Sequence, residues 1–254
     1  GCIFMKNLLS NPGVEAARES ELEKLFSNIP VEVDMVVNLP SKGKFYKDFK
    51  EARVMPLLFE DEQRILVSKG KDANPVNSII SKCLKGVILN DLLLADKMSI
   101  LLKIKEISYG PDYKFSVLCP KCESNTDIKL DVNLHMPINY APDDLTDPRE
   151  ITLPILKARV KVRFPRVSDE SYLSDLESTM ANLYRFVLSI NDNEDPVFIA
   201  KALKKMHIRD LKTISKEIKR EDVGVDTRFQ FECPHCGHKD IMGVPFDANF
   251  FSVN

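Results

Sequence analysis

The sequence of 254 residues predicts an α+β fold, in which strands and helices surround two cysteine-containing hairpins. Three observations support this prediction: short stretches of period-two alternation, longer stretches with apolar residues at helical spacing, and two Cys-Pro-X-Cys motifs. The motifs are Cys-Pro-Lys-Cys at 119–122 and Cys-Pro-His-Cys at 233–236. Because strand-like residues enter and leave each motif, the order strand, knuckle, strand is expected twice.

The four thiols of these motifs predict a metal site. Two thiolates at this spacing bind one ion through a tight knuckle, and two knuckles complete the four-sulfur tetrahedron that structural zinc prefers. The expected ligands are Cys119, Cys122, Cys233 and Cys236. They define a split zinc ribbon, residues 119–132 and 225–247, whose ion links the middle of the chain to its C-terminal part. Zinc with four thiolate ligands has no open position for water, so it is not expected to act as a Lewis acid.

Other interpretations of these cysteines stay open at this point. Cys-Pro-His-Cys also occurs in disulfide oxidoreductases, but it should there open a helix, whereas turn and strand residues follow at 237–244. Haem attachment needs a histidine directly after Cys236, where Gly237 stands. His235 and His238 could replace a sulfur ligand, although with four thiols present they are expected to be exposed knuckle residues.

The composition predicts a globular protein with a sizeable core. The net charge of −2 gives no basic excess of the kind that marks general nucleic-acid binding. No apolar run approaches the ~20 residues that a membrane span requires. The sequence also lacks a Gly-rich phosphate loop, a Gly-X-Ser-X-Gly motif and a His-Glu-X-X-His motif, so neither an enzyme nor a small-molecule substrate is predicted.

Residues 1–30 are predicted to form an N-terminal amphipathic arm with a helix over residues 13–28. Leu22 and Leu25 supply its apolar side among many charged residues. Such an arm can dock on a partner, although a frayed terminus is the simpler explanation.

Residues 31–118 are predicted to form an α+β body. Alternation indicates strands at 31–33, 35–37 and 52–57, and acidic residues open a short helix that runs from Phe59 to Val67. Two apolar helices follow, one from the Asn-Pro pair at 74–75 and one capped by the Asn-Asp pair at 90–91. Cys83 lies on the apolar face of the first of these and is expected in the core.

Residues 133–224 separate the two halves of the ribbon and are predicted to form an inserted hairpin plus a largely helical domain. The hairpin uses residues 151–153 and 158–164. A long helix is expected from Ser168 to Ile190, because apolar residues recur there at alternating three and four. This stripe could form an oligomer seam or pack within the chain. Two further helices are expected from Pro196 and from about Arg209.

Basic residues cover the outer faces of these last two helices. Charge on such faces usually serves solvation, and the alternative is contact with an acidic protein surface or with phosphate. Lys204, Lys205, Lys212 and Lys216 are the candidate partner-binding residues.

Several short motifs also occur in a recognisable order. They are Leu-Pro-Ser-Lys-Gly-Lys-Phe-Tyr at 39–46, Val-Met-Pro-Leu at 54–57, Asn-Pro at 74–75, and Ser-Tyr-Gly at 108–110 before the first cysteine motif. In this order the chain resembles the baseplate hub proteins of T-even-type contractile-tailed bacteriophages, over roughly residues 30 to 247. One departure is that Gly237 follows the second knuckle, whereas Glu123 follows the first, which weakens the usual turn there.

The resemblance implies a late viral protein that is a structural or assembly component of the central baseplate. Its expected partners are other baseplate or tail proteins, and its expected location is the virion tail and the cytoplasm of the infected bacterial host. The resemblance implies no catalytic residues, so none is assigned. The alternative function is a zinc-ribbon nucleic-acid-binding or transcription-associated factor, against which the near-neutral charge counts.

Overall fold

The structure is a computed structural model that describes residues 12–26, 34–67, 75–220, 222–246 and 248–251. It mixes helices and strands, which confirms the predicted α+β class. The chain divides into two units, residues 1–34 and 35–254, and each unit is described by itself. The strand expected at 31–33 and the residue Cys2 lie outside the described residues.

The described part of the first unit is helix α1 (Pro12–Phe26). The predicted helix is therefore confirmed, and Leu22 and Leu25 are exposed on it. Its expected amphipathic character is wrong. Arg18 lies four residues before Leu22 and seven before Leu25, on the same helix face, so a charge interrupts the apolar stripe.

The helices of the second unit follow the sequence prediction in most places. In chain order they are α2 (Phe59–Val67), α3 (Pro75–Cys83), α4 (Leu94–Tyr109), α5 (Val132–His135), α6 (Leu176–Asn182), α7 (Pro196–Lys205) and α8 (Ile208–Ile218). Short 3-10 helices occur at Leu89–Asp91, Val167–Leu173, Leu183–Arg185 and Ala248–Phe251. The Asn-Asp pair at 90–91 thus lies in a 3-10 turn, and α4 begins three residues later than Asp91.

The strands are short and pair antiparallel. In chain order they are β1 (Met35–Val37), β2 (Ala52–Val54), β3 (Leu84–Lys85), β4 (Asp112–Leu118), β5 (Asn125–Asp131), β6 (Ile138–Asn139), β7 (Arg149–Thr152), β8 (Arg159–Val162), β9 (Val187–Ile190), β10 (Gly224–Val225), β11 (Arg228–Glu232) and β12 (Lys239–Gly243). Three-stranded sheets form in the orders β1-β2-β3 and β7-β8-β9, and two-stranded sheets pair β4 with β5, β11 with β12 and β6 with β10.

Helix α4 lies at the centre of the first hydrophobic core. Its residues Ile100 and Ile104 are fully buried, because apolar side chains occupy most of its circumference. Cys83 is buried in the same core, as predicted, and the cysteine hairpins β4–β5 and β11–β12 contribute Tyr113 and Phe231. The cysteine motifs are therefore attached to the main core of the protein.

A buried carboxylate holds the loop at 39–46 against the start of α4. Asp96 accepts hydrogen bonds from the Ser41 backbone N–H at 2.8 Å, the Ser41 hydroxyl at 2.5 Å and the Tyr46 hydroxyl at 2.6 Å. The Tyr46 hydroxyl in turn accepts a hydrogen bond from the Leu93 N–H. Burial raises the pKa of Asp96 even though these donors favour its charged form. At Gly43, a Cβ atom would lie 2.0 Å from the Lys50 carbonyl oxygen, so this turn requires glycine.

A second hydrophobic core lies within residues 151–218. It joins the sheet β7-β8-β9 to α7 and α8 through buried residues such as Val160, Ile199 and Ile214. The stretch 133–224 contributes to the first core as well, since Met136, Phe164 and Val167 pack there. Strands β6 and β10 pair with each other where this stretch leaves and rejoins the rest of the chain.

The long helix predicted from Ser168 to Ile190 is wrong. Asp175 caps a separate helix by accepting a hydrogen bond from the Ser178 N–H at 2.7 Å, and that helix ends at Asn182. Strand β9 then pairs with β8, in the register Val160 with Ile190 and Val162 with Val187. This pairing provides hydrogen-bond partners for the backbone groups along the outer edge of β8. The gain outweighs the helical preference that the spacing of the apolar residues indicates. No continuous heptad seam therefore exists over 168–190.

Candidate metal centre

The two Cys-Pro-X-Cys motifs form knuckles with the same backbone hydrogen bonds. In the first, the Cys119 N–H donates to the Ser124 carbonyl, and the Glu123 N–H donates to the Cys119 carbonyl, each at 2.9 Å. In the second, the Cys233 N–H donates to the His238 carbonyl at 2.8 Å, and the Gly237 N–H donates to the Cys233 carbonyl at 2.9 Å. Each knuckle thus connects two antiparallel strands in the same way.

The residue after each second cysteine has a left-handed backbone conformation. Gly237 has a φ of 67°, and Glu123 has a φ of 55°. Glycine adopts this conformation without steric cost, whereas a residue with a Cβ atom is strained there by about 1–3 kcal/mol. The first knuckle therefore keeps the geometry of the second in spite of the glutamate.

The knuckles bring the four sulfur atoms together, so that all lie within 4.8 Å of one another. Cys119 Sγ is 3.8 Å from Cys236 Sγ, and Cys122 Sγ is 3.6 Å from Cys233 Sγ. Zinc–sulfur bonds of about 2.3 Å in a tetrahedron place the sulfur atoms about 3.8 Å apart. The residues present therefore fit a tetrahedral four-thiolate metal ion.

A local pseudo-twofold relation connects the two hairpins. When each cysteine is replaced by its counterpart in the other knuckle, the close pair Cys119–Cys236 becomes Cys233–Cys122, which is also a close pair. Phe115 and Phe229, each four residues before the first cysteine of its motif, meet edge to face with ring centroids 5.5 Å apart. The first cysteine of each motif is buried and the second is exposed. The two hairpins thus contribute to the cluster in equivalent ways.

Ser124 breaks this symmetry. Its hydroxyl lies 3.0 Å from Cys122 Sγ and 3.6 Å from Cys233 Sγ, so it reaches both knuckles. A hydroxyl that donates to sulfur stabilises the thiolate. Sequence reasoning missed this residue, although it directly follows Glu123 in the turn. At the equivalent position of the second knuckle stands His238, whose Nε2 is 3.9 Å from Asp240 Oδ2.

The thiols differ in pKa because burial and hydrogen bonding differ from one thiol to the next. The Ser124 hydroxyl lowers the pKa of Cys122. Burial raises the pKa of Cys233, but hydrogen bonds from Ser124 and from nearby backbone N–H groups outweigh it and lower the pKa to about 6. The backbone at His238 lowers the pKa of Cys236, yet burial and the neighbouring thiols outweigh that and raise the pKa to about 12. A divalent cation would displace the remaining protons and compensate the charge of four thiolates.

The alternatives considered for the cysteines do not fit the geometry. The metal-competent cluster found among the described residues consists of the four cysteines, without His235 or His238. His235 is exposed, as predicted, and His238 is half-buried. The second motif is followed by strand β12 rather than by a helix, so it lacks the helix N-terminus that lowers the pKa of a redox-active cysteine.

The predicted basic residues are exposed on α7 and α8, but the structure separates them into two groups. Lys212 and Lys216 line a cavity of about 710 Å³ together with Arg149, Lys219 and Arg220, among others. Lys204 and Lys205 do not line it. Sequence reasoning missed Arg149 at this site, because it belongs to a strand about 60 residues earlier in the chain.

The fold and the site define an α+β protein with a cluster of four cysteines that could hold a metal ion. A family model described as T4 bacteriophage base plate protein matches residues 31–251. The chain belongs to this family. No curated protein and no solved structure matches the chain.

Family membership supports a structural role in a phage baseplate, with other tail proteins as partners and a location in the virion tail. Among the helices of the described residues, none has both the length and the apolar character needed to span a membrane.

Proposed function

We propose that this protein is a non-enzymatic structural component of the central hub region of a tail baseplate, and that a structural zinc ion holds it together. The observation that carries the baseplate role is the family match over residues 31–251. The order of the motifs from 39–46 to the first cysteine pair supports the hub position, because it resembles that of baseplate hub proteins.

The geometry of the four thiols supports the proposed zinc. Cys119, Cys122, Cys233 and Cys236 offer four sulfur ligands at separations that suit a tetrahedral ion. Bound in this way, the ion supplies a covalent-like link between residues that are 111 positions apart. Four thiolates leave no coordination position for substrate, which favours a structural role over a catalytic one.

We further propose that the chain is organised as an N-terminal arm (residues 1–30), a body (31–118), the split zinc ribbon (119–132 and 225–247) and an insertion (133–224). The exposed side chains of Leu22 and Leu25 make the arm a candidate docking segment. The basic outer face of α8, with Lys212 and Lys216, provides a second candidate surface for an acidic partner, and Lys204 and Lys205 of α7 lie outside the cavity on that face.

The baseplate role is tested in infected cells. In a null mutant of the gene, the number of complete contractile tails counted by electron microscopy is expected to fall sharply. A full complement of tails from the null mutant would contradict the baseplate role. Labelling the protein in purified tails and locating the label at the centre or the periphery of the baseplate then tests the hub position separately.

The arm is tested by deleting residues 1–28. The shortened protein is expected to keep its metal and its cooperative unfolding but to be missing from tails. Normal numbers of complete tails with the shortened protein would contradict a docking role for the arm.

The nucleic-acid-binding alternative is tested by the electrophoretic mobility of DNA or RNA. A salt-sensitive mobility shift caused by the full chain would favour this alternative.

A further inference from the structure

Two cavities of different chemistry adjoin in the second unit. The first has a volume of about 300 Å³. Its walls are mainly apolar and come from the loop at 39–46, from α4 and from the stretch 145–223, with Phe45, Leu94, Leu145, Phe164, Leu173 and Ile218 among its lining residues. A cavity of this size accommodates one large apolar side chain or two small ones.

The second cavity is the basic one of about 710 Å³. Two of its five cations are already paired, since Arg149 Nη1 lies 2.9 Å from Glu217 Oε2 and Arg220 forms an ion pair with Asp222. Within the described residues, Lys212, Lys216 and Lys219 form no ion pair. These three lysines give the second cavity its uncompensated positive charge.

The sequence of α8 concentrates this charge on one side. Arg209, Lys212 and Lys216 follow at intervals of three and four, which places them along one face of α8, and Lys219 directly follows the last residue of this helix. Like charges at such spacing destabilise a helix by a few tenths of a kcal/mol per pair. The acidic residue Asp210 does not offset them at the surface, because it is buried and accepts hydrogen bonds from the N–H groups of Ile155 and Leu156.

Lys219 and Arg220 line both cavities, so the apolar and the basic cavity share a wall. We propose that the two cavities form one docking site for a segment of another tail protein that combines a bulky apolar residue with neighbouring acidic residues. The apolar residue enters the first cavity, and the carboxylates contact Lys212, Lys216 and Lys219. This inference rests on the proposed baseplate role, which supplies the partner.

The chemistry of the walls favours this ligand. Full burial of a large apolar side chain contributes about 1.5–3 kcal/mol, and the lysines add selectivity for acidic segments and a faster association at low salt. A single nucleic-acid strand could also offer a flat apolar group and negative charge. However, single strands are held mainly by stacking of bases on aromatic side chains, and the walls of the first cavity are mainly aliphatic, so a protein segment fits better.

A photo-crosslinking experiment tests the ligand class. The crosslinking amino acid p-benzoylphenylalanine is introduced at position 216, or at position 204 as the control, and assembled tails are irradiated. Position 216 is expected to crosslink to a protein segment in which a bulky apolar residue lies within a few residues of at least two acidic ones, as identified by mass spectrometry. A segment without acidic residues, a nucleic-acid adduct, or equal crosslinking from position 204 would overturn the proposal.

A matched pair of charge reversals tests the site itself. Lys212→Glu with Lys216→Glu is expected to lower incorporation into tails by about tenfold or more, whereas Lys204→Glu with Lys205→Glu changes the net charge equally and leaves incorporation near wild type. Ala95→Leu, which narrows the apolar cavity, is expected to act like the first pair. Thermal unfolding of the purified variants verifies that each is folded.

Equal incorporation of the two double-lysine variants into tails would overturn the docking site while leaving the baseplate role intact. Failure of the baseplate role has a different signature, because the wild-type protein itself would then be absent from tails.

Discussion

The two cysteine hairpins reach the same local geometry from different sequences. Strands β4 and β5 pair over seven residues, whereas β11 and β12 pair over five. The first hairpin carries Glu123 at the left-handed position, and the second carries Gly237. Both hairpins are anchored in the core, since Tyr113 of the first and Phe231 of the second are buried, and the Tyr113 hydroxyl donates to the carbonyl of Pro245, which follows β12, at 2.7 Å. The longer strand pairing of the first hairpin can hold the strained turn at Glu123, whereas the shorter second hairpin avoids this strain through glycine.

Among the variants that test the comparison of the two hairpins, removal of a thiol is expected to have the largest effect on metal binding and stability. Cys119→Ser and Cys233→Ser should both abolish stoichiometric zinc binding and the cooperative unfolding transition, because structural zinc sites contribute on the order of 10–16 kcal/mol, comparable to or larger than the stability of a typical domain. Elemental analysis and circular dichroism measure the two quantities. Cys2→Ser is the control.

One zinc per chain is the expected value for the wild type purified without chelator. If one ion is shared, substitution of Cys119 and substitution of Cys233 must reduce zinc content and stability equally. A variant of either cysteine that keeps one zinc and unfolds like the wild type would refute the shared site.

Loss of the aromatic contact between the hairpins is expected to have the next largest effect on stability. Phe115→Ala and Phe229→Ala should each reduce the free energy of unfolding by about 3–5 kcal/mol, since both side chains are buried. The double variant should reveal a coupling of about 0.5–1.5 kcal/mol beyond additivity, measured by denaturant unfolding. Leu118→Ala in β4, where the side chain is 55% exposed, should change the stability by at most about 0.5 kcal/mol. Strict additivity would mean that the two rings do not stabilise each other.

Replacing the serine that reaches both knuckles should have a moderate effect. Ser124→Ala is expected to weaken zinc binding about tenfold, or about 1.4 kcal/mol, because the thiolates lose a hydrogen-bond donor. Competition with a chelator measures this affinity. His238→Ala changes the equivalent residue of the second knuckle and should leave zinc affinity nearly unchanged. Equal losses in the two variants would contradict a specific role for the Ser124 hydroxyl.

The smallest expected effects come from the left-handed positions. Gly237→Ala should destabilise the protein by about 1 kcal/mol, and Glu123→Gly should stabilise it by up to about 1 kcal/mol. No atom lies within 4 Å of a Cβ placed at Gly237, so the cost is one of backbone conformation. Gly243→Ala in β12, also without close neighbours, is the control and should be nearly neutral. A stabilising Gly237→Ala would show that the second turn does not need glycine.

Local signals predicted much of the fold. Period-two alternation and cysteine spacing predicted both hairpins, and the acidic opening at 60–62 together with the Asp-Pro pair at 195–196 correctly indicated α2 and α7. The cap at Asp175 was a local signal as well, and its recognition would have divided the helix expected over 168–190.

Other features depend on residues that are distant in the sequence. Strand β9 forms because β8 offers an unpaired edge, which helical spacing at 183–190 cannot reveal. The four thiols were predicted as one cluster, because their chemistry requires a common ion. The adjoining cavities carried no such signal, since folding alone brings Phe45 and Lys219 to the first cavity, and Arg149 and Lys219 to the second.

The separation of the two knuckles along the chain has a consequence for synthesis on the ribosome. Cys122 and Cys233 are 111 residues apart. At about 5–20 residues per second, roughly 6–22 s pass between the emergence of the first pair of thiols and that of the second. During this interval the nascent chain exposes two of the four thiols, which are open to oxidation or to a competing metal. For the proposed zinc site, translation speed is therefore expected to affect the yield of correctly metallated protein.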